Sequence, residues 1–291
     1  MGPKARASVL ELETLEYLDV SLLTGINNSW LAQLGELPNL RVLIARRTCF
    51  GDPAAVGLAS SASLQALDLR HTACGNAGLE ALAAAPHLRS LMCHVGRKVP
   101  DAGLRALAKS ESLERLAAAR PLAVDAADDL SRATVAALSR NPRLTTLTLF
   151  GIIDSSSRVG ELAALPNLVG LGLGGNYYGG TQKWMRQLPN FKTVRALDLS
   201  ECYFSSAKDL EAIDSMPSLD ELSLASVILV DQATPWSSLR IKRLVTWNKW
   251  PQRLFPAAKV VERLSNQSHL LGDGLQLPAD LESLAPPPQK F

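Results

Sequence analysis

Leucine-type residues recur along the chain in a fixed cadence, LxxLxL. The first half carries Leu15-Leu18-Val20, Leu40-Leu43-Ala45, Leu64-Leu67-Leu69, Leu88-Leu91-Cys93 and Leu113-Leu116-Ala118. The second half continues with Leu144-Leu147-Leu149, Leu168-Leu171-Leu173, Val194-Leu197-Leu199, Leu219-Leu222-Leu224 and Ile241-Leu244-Thr246. Spacings between first anchors are 25, 24, 24, 25, 31, 24, 26, 25 and 22 residues. Alternation at the end of each copy predicts a short strand with one face in a core. A second apolar pair at helical spacing follows: Leu79 and Leu82, Leu104 and Leu107, Leu162 and Leu165, Leu210 and Ile213. These predict short helices, each ended by Pro38, Pro86, Pro142, Pro166 or Pro217 one or two residues before the next anchor. The spacing of 31 holds PLAVDAADDLSRATVAALSR, which reads as a longer helix.

No single copy buries both its strand and its helix leucines, so the copies must stack. The cadence resembles the leucine-rich repeat family over roughly residues 12 to 250. The segments CGNAGLEALAAAPHLRSL and VPDAGLRALAKSESLERL resemble that family's short intracellular bacterial repeats. The resemblance implies an α/β fold, a leucine-rich repeat solenoid of about ten repeats, with a parallel sheet on the concave side and short helices on the convex side. The motif's ninth position, which turns the chain, is filled in the family manner by Asn176 and Cys202 and plausibly by Thr48 and Thr72. Gly96, Pro121, Ile152 and Val227 depart from it and predict a ragged turn ladder. Residues 1-250 are read as the solenoid with a short N-terminal lead, and 251-291 as a C-terminal cap and tail in which PAAKVVERL is a helix.

With 291 residues, 47% apolar and a net charge of +2, the composition is that of a folded, water-soluble chain. Thirty basic against 28 acidic residues argue against a surface coated for nucleic acid. Cys49, Cys74, Cys93 and Cys202 form no CxxC pair, and His71, His87, His94 and His269 are scattered. No metal, disulfide framework or cofactor is therefore expected. Glu11, Glu13, Glu16 and Asp19 stand where a secretory leader needs an apolar core, which points to the cytoplasm. Twenty arginines against ten lysines, with abundant alanine, suggest a GC-rich bacterial gene. The run GLGLGGNYYGGTQK imitates a nucleotide loop, but its glycines interleave with Leu171 and Leu173, and Thr181 stands where a phosphate loop needs lysine.

Stacking would align equal offsets of neighbouring repeats into columns. Arg46 and Arg47, Arg70 and His71, His94, and Arg120 then form a basic stripe, joined by Arg41, Arg89 and Arg115 against only Asp68 and Glu114. Later strands reverse the sign through Asp198, Glu201, Asp220 and Glu221, before Lys242, Arg243 and Trp247. The stripe is expected to receive an acidic segment of a partner protein, since arginine suits carboxylates through paired contacts. Phe150 beside Gly170, Gly172, Gly174 and Gly175, and then Tyr177 and Tyr178, suggests a shallow depression for a partner's anchor; that the glycines merely relax one strand stays open. Trp236, Trp247 and Trp250 are read as cap packing.

The expected function is a non-catalytic protein-protein interaction module, not an enzyme, with the family resemblance admitting a bacterial effector or targeting subunit delivered into a host cell without a leader. The competing expectation is an enzyme whose catalytic part is the 251-291 segment or an absent domain. Nucleic-acid binding by the stripe would demand a steep salt dependence, and the nearby acids oppose it.

Overall fold

The computed structural model describes residues 2–94, 101–119, 130–152, 157–175, 183–204, 208–224, 227–229, 241–246 and 260–263. The chain forms two compact units, with Met1–Gly96 and Pro100–Ala118 in the first and Ala119–Gly274 in the second.

Thirteen strands are described. The first unit holds β1 (Tyr17–Asp19), β2 (Val42–Ile44), β3 (Ala66–Leu69), β4 (Ser90–His94) and β5 (Arg115–Ala119), neighbours in chain order. The second holds β6 (Thr146–Phe150), β7 (Gly170–Gly172), β8 (Ala196–Asp198), β9 (Tyr203–Phe204), β10 (Glu221–Ser223), β11 (Ile228–Leu229), β12 (Arg243–Thr246) and β13 (Val260–Arg263). There β9 and β11 form a small parallel pair apart from the main sheet. All ten sequence copies become strands, each beginning two residues after its first anchor. Pairing is parallel and in phase: Tyr17 faces Val42, Val42 faces Ala66, and Ala66 faces Ser90. In the second unit Thr146 faces Gly170, Gly170 faces Ala196, Ala196 faces Glu221, and Glu221 faces Arg243. Equal offsets therefore lie side by side, and the uneven spacings are absorbed on the helical side. The fold is the α/β leucine-rich repeat solenoid.

Seven α-helices are described: α1 (Pro3–Leu10), α2 (Asn28–Gln33), α3 (Asp52–Leu58), α4 (Asn76–Ala83), α5 (Asp101–Leu107), α6 (Arg132–Leu138) and α7 (Lys208–Asp214). Leu79, Leu82, Leu104, Leu107 and Ile213 are buried as their spacing predicts, against the buried strand leucines. Leu15 and Leu18, in the first copy, are only half-buried. Ahead of them α1 buries nothing and is tied down by Trp30, whose Nε1 donates to the Arg6 carbonyl at 3.0 Å.

Two expectations need correction, and one expected short helix is of another type. Leu162 lies in a 3₁₀ helix, Ser157–Ala164, with Leu165 buried just after it. Its Gly160 packs so close to Gln187 that a Cβ there would meet Oε1 at 2.8 Å. In the long insertion α6 has only seven residues, because Ser131 caps it by accepting from the Thr134 N–H at 3.2 Å; residues 120–129 lie outside the described residues. Within PAAKVVERL, Val260–Arg263 is not helical but forms β13, with Val260 facing Arg243 and Val261 facing Leu244. Paired β-branched residues on an open sheet edge favour that outcome over a helix.

Two side-chain ladders hold successive repeats together. At the start of the helices, Asn28 Oδ1 accepts from the Gly51 N–H at 2.8 Å, Asp52 Oδ1 from Gly75 at 2.6 Å, and Asn76 Oδ1 from Gly103 at 2.9 Å. Just before the strand anchors, Asn39, Ser63, Ser112 and Asn167 donate to the Glu13, Leu37, Ala85 and Pro142 carbonyls of the preceding repeat. Both ladders satisfy backbone groups that a closely stacked turn would otherwise bury unpaired. No helix among the described residues is long and apolar enough to cross a membrane.

Asp52→Ala removes the acceptor for the Gly75 N–H, whereas Asp52→Asn keeps it. The alanine variant is expected to lose about 1–2 kcal/mol in urea denaturation and the asparagine variant less than half of that. Equal losses would show that the side-chain oxygen does not carry the contact.

Candidate interaction face

A left-handed turn fixes where this face ends. Seven residues after the first anchor, Leu22, Arg47, His71, Gly151, Gly175 and Glu201 all have positive φ, between +52° and +77°. Only glycine enters that region without strain, so four ordinary side chains are held there by their surroundings. The N–H of Leu22 donates to the Arg46 carbonyl, that of Arg47 to Arg70, that of Gly151 to Gly174, and that of Gly175 to Ser200. At the following position Thr48 and Thr72 turn their hydroxyls back to the Ala45 and Leu69 carbonyls at 2.8 and 2.7 Å, and Cys202 Sγ meets the Leu173 carbonyl. Ile152 and Val227, expected to break this ladder, are buried apolar plugs at the same offset. Asn176, Gly96 and Pro121 lie outside the described residues.

The structure brings the basic stripe together but neutralises most of it. Asp68 is fully buried on β3 and Arg70 is 3% exposed. Arg70 Nε and Nη2 grip both Asp68 oxygens, the shortest contact being 2.7 Å, and Arg46 Nε, two residues past the end of β2, approaches Oδ2 at 3.4 Å. Glu114 takes Arg89 at 3.1 Å through two nitrogens and lies 3.8 Å from Arg115. Glu16 lies 3.7 Å from Arg41. The two acids counted against seven arginines thus each serve two of them. Arg70, expected on the displayed surface, is instead a buried structural residue. Its guanidinium must compensate a carboxylate removed from water.

What remains displayed is smaller. Arg47 is exposed and has no ion-pair partner among the described residues; Arg120 lies outside them. The His71 and His94 rings meet edge to face with centroids 3.9 Å apart, and His94 Nδ1 is buried without a hydrogen-bond partner. Burial, and then the neighbouring His71, Arg70 and Arg47, push His94 down to about 3, so it is neutral at physiological pH. Cys93 is a buried thiol and Cys74 a half-buried one, and burial raises the pKa of both, that of Cys74 to about 12; neither is a nucleophile beside these rings. Among the described residues no three metal-ligating side chains come together.

The glycine segment does not leave a depression. A Cβ on Gly170 would meet Thr146 at 3.1 Å, one on Gly172 would meet Thr148 at 2.7 Å, and one on Gly175 would meet the Phe150 ring at 2.5 Å. The β6 side chains lie over these glycines, and half-buried Phe150 covers Gly174 and Gly175. Tyr177, Tyr178, Trp236, Trp247 and Trp250 lie outside the described residues.

The later acids divide. Asp220 pairs with Arg195 and with Lys242 at 2.9 Å, and Glu221 with Arg243 at 3.3 Å. Asp198 and Glu201 are buried instead. Sequence columns alone do not reveal which acids are consumed, because pairing depends on side-chain reach between strands. The Asn28, Asp52, Asn76 series at a spacing of 24 was a legible signal for the helix ladder, and it was missed.

No known family's sequence profile matches the chain, and no curated protein matches it. Among solved structures, the actin-binding site 2 of leiomodin-1 is similar over 48% of this chain and 91% of its own, at 19% identity and a TM-score of 0.37. An internalin from Listeria monocytogenes is similar over 91% of this chain and 94% of its own, at 14% identity and a TM-score of 0.39.

Arg70→Ala leaves Asp68 buried beside Arg46 alone and is expected to destabilise the protein by about 3–5 kcal/mol, with Asp68→Asn/Arg70→Ala recovering at least half in a double-mutant cycle. A single-variant loss below about 1 kcal/mol would contradict the buried pair.

For His94, whose folded pKa lies below the ordinary 6.5, stability is whole above pH 6.5 and declines as pH falls toward 3. His94→Gln should lose less stability than the wild type over that window in urea melts. Parallel slopes would remove the histidine as a source.

Proposed function

We propose that the protein is a non-catalytic interaction module that seats an acidic segment of a partner protein on Arg47, His71 and His94. The observation that carries this reading is the ion-pair arrangement. Arg41, Arg46, Arg70, Arg89 and Arg115 already face carboxylates, whereas Arg47 is exposed and unpaired among the described residues. Its guanidinium offers two parallel donors to a carboxylate. An anion beside the histidines would offset the positive neighbours that, after burial, hold His94 neutral, so binding would raise the His94 pKa. We propose Phe150, in the second unit, as a separate apolar contact, half-buried over its glycines.

Stacked repeats suit such work because equal offsets of neighbouring strands present an extended surface. The absence of a catalytic role is supported by the raised thiols and by histidines that meet each other edge to face rather than a nucleophile. We read residues 1-250 as the repeat array and 251-291 as its cap and tail. We also read the repeats as the short bacterial intracellular type, which suits a cytoplasmic protein or an effector delivered into a host cell.

Capture from the source cell with wild type, Arg47→Glu and the folding-neutral control Arg140→Glu tests the function. Arg47→Glu is expected to weaken the captured partner's affinity roughly tenfold or more, as loss and reversal of a charged contact should. The His94 ring signal in NMR should titrate at higher pH when a glutamate-rich peptide is added. Undiminished capture by Arg47→Glu would defeat the proposal.

A further inference from the structure

Asp68 and Asp198 stand at the same repeat offset, four residues after the anchors Leu64 and Val194. Both are buried on the sheet face opposite the leucines. Asp68 has two guanidiniums, one from Arg70 two residues on and one from Arg46 in the preceding repeat. At Asp198 those offsets are Ser200 and Gly174. Asp198 Oδ1 accepts from the Ser200 N–H at 2.8 Å and from the Ser200 hydroxyl, which also meets Ser223 Oγ at 2.9 Å. Oδ2 is buried, and no described residue donates to it; Glu201 Oε2, three residues along the chain, is in the same condition. Gly174 cannot be replaced by a cation of the chain's own, since a Cβ there would run into the Ser200 carbonyl and the Phe150 ring.

We propose that Asp198 and Glu201 form a receptor for a single basic side chain, arginine or lysine, presented by a partner protein. Asp68 shows how this fold completes a carboxylate at this offset, with guanidinium nitrogens on both oxygens. A buried carboxylate left without a cation is costly, and two within electrostatic reach of each other more so. Burial raises both pKa values, and Asp198 raises that of Glu201 further, so an arriving cation would be met by groups that gain from it. Two carboxylates are too few for a calcium ion, which takes six to eight oxygens. Glu201 occupies the left-handed turn offset where Arg47 and His71 are exposed, which sets the approach from the turn side of the strands. This receptor does not depend on the reading of Arg47.

The test titrates a short arginine-rich peptide, and a lysine-rich one of equal length, into the full chain by calorimetry. Variants are Asp198→Asn, Glu201→Gln and the control Glu221→Gln, with Arg47→Glu separating this site from the one above. Asp198→Asn and Glu201→Gln should each weaken peptide binding roughly tenfold, while Glu221→Gln and Arg47→Glu change it less than twofold. Glu201→Gln alone decides the matter if Asp198→Asn does not fold. Equal binding by all variants would mean general charge attraction and overturn the proposal. Raised thermal stability of Asp198→Asn without peptide binding would mean that a proton alone neutralises the pair. Calcium binding lost in the same two variants, with no peptide binding, would make it a metal site. Either result overturns the proposal as well.

Discussion

Parallel strands paired offset to offset put the side chains of one column about 4.8 Å apart, whatever those side chains are. That spacing is the constraint from which the rest follows. On the leucine side it is favourable, since like packs on like and water is excluded. On the opposite side the same rule forces arginine beside arginine, a repulsion that solvent screens poorly where strands bury their own face. The protein answers by placing a carboxylate within reach of two guanidiniums, as Asp68 does for Arg46 and Arg70. Column chemistry is thus decided between strands, not along them.

The same constraint governs the turns. A residue held at positive φ keeps the chain's exit from the strand in phase, and at Leu22, Arg47, Gly151 and Gly175 its N–H bonds the carbonyl of the next copy. Leu22, Arg47, His71 and Glu201 have no intrinsic preference for this conformation, so stacked neighbours impose it. Function and backbone strain therefore share one offset: Arg47 and His71, the displayed cations, are also turn residues.

Much of the fold was legible because the leucine cadence is a geometric statement: two apolar periods in one copy demand a strand, a helix and a neighbour. Ten copies read from the sequence are ten strands in the structure. What escaped had other causes. Val260 and Val261 fit a helix by surroundings, yet an open sheet edge with unsatisfied backbone groups drew them into β13. Ser131 ended the expected long helix by capping locally, which a count of apolar spacings does not register. For the face, sequence placed the charged residues in correct columns but not their burial. Arg70 and Arg46 share one offset in the sequence, and only three-dimensional reach separates the buried guanidinium, 3% exposed, from the partly exposed one.

The carboxylates reach across repeat boundaries: Glu16 to Arg41, Asp68 back to Arg46, Glu114 back to Arg89, and Asp220 to both Arg195 and Lys242. Repeats of one length are for that reason not interchangeable parts. Excising the 24 residues from Leu64 to His87 would preserve every strand register, yet it would set Arg46 beside a repeat that lacks Asp68. The order of the modules is written in their charges, so duplication or loss of a repeat in such an array must be followed by compensating substitutions on either side of the join.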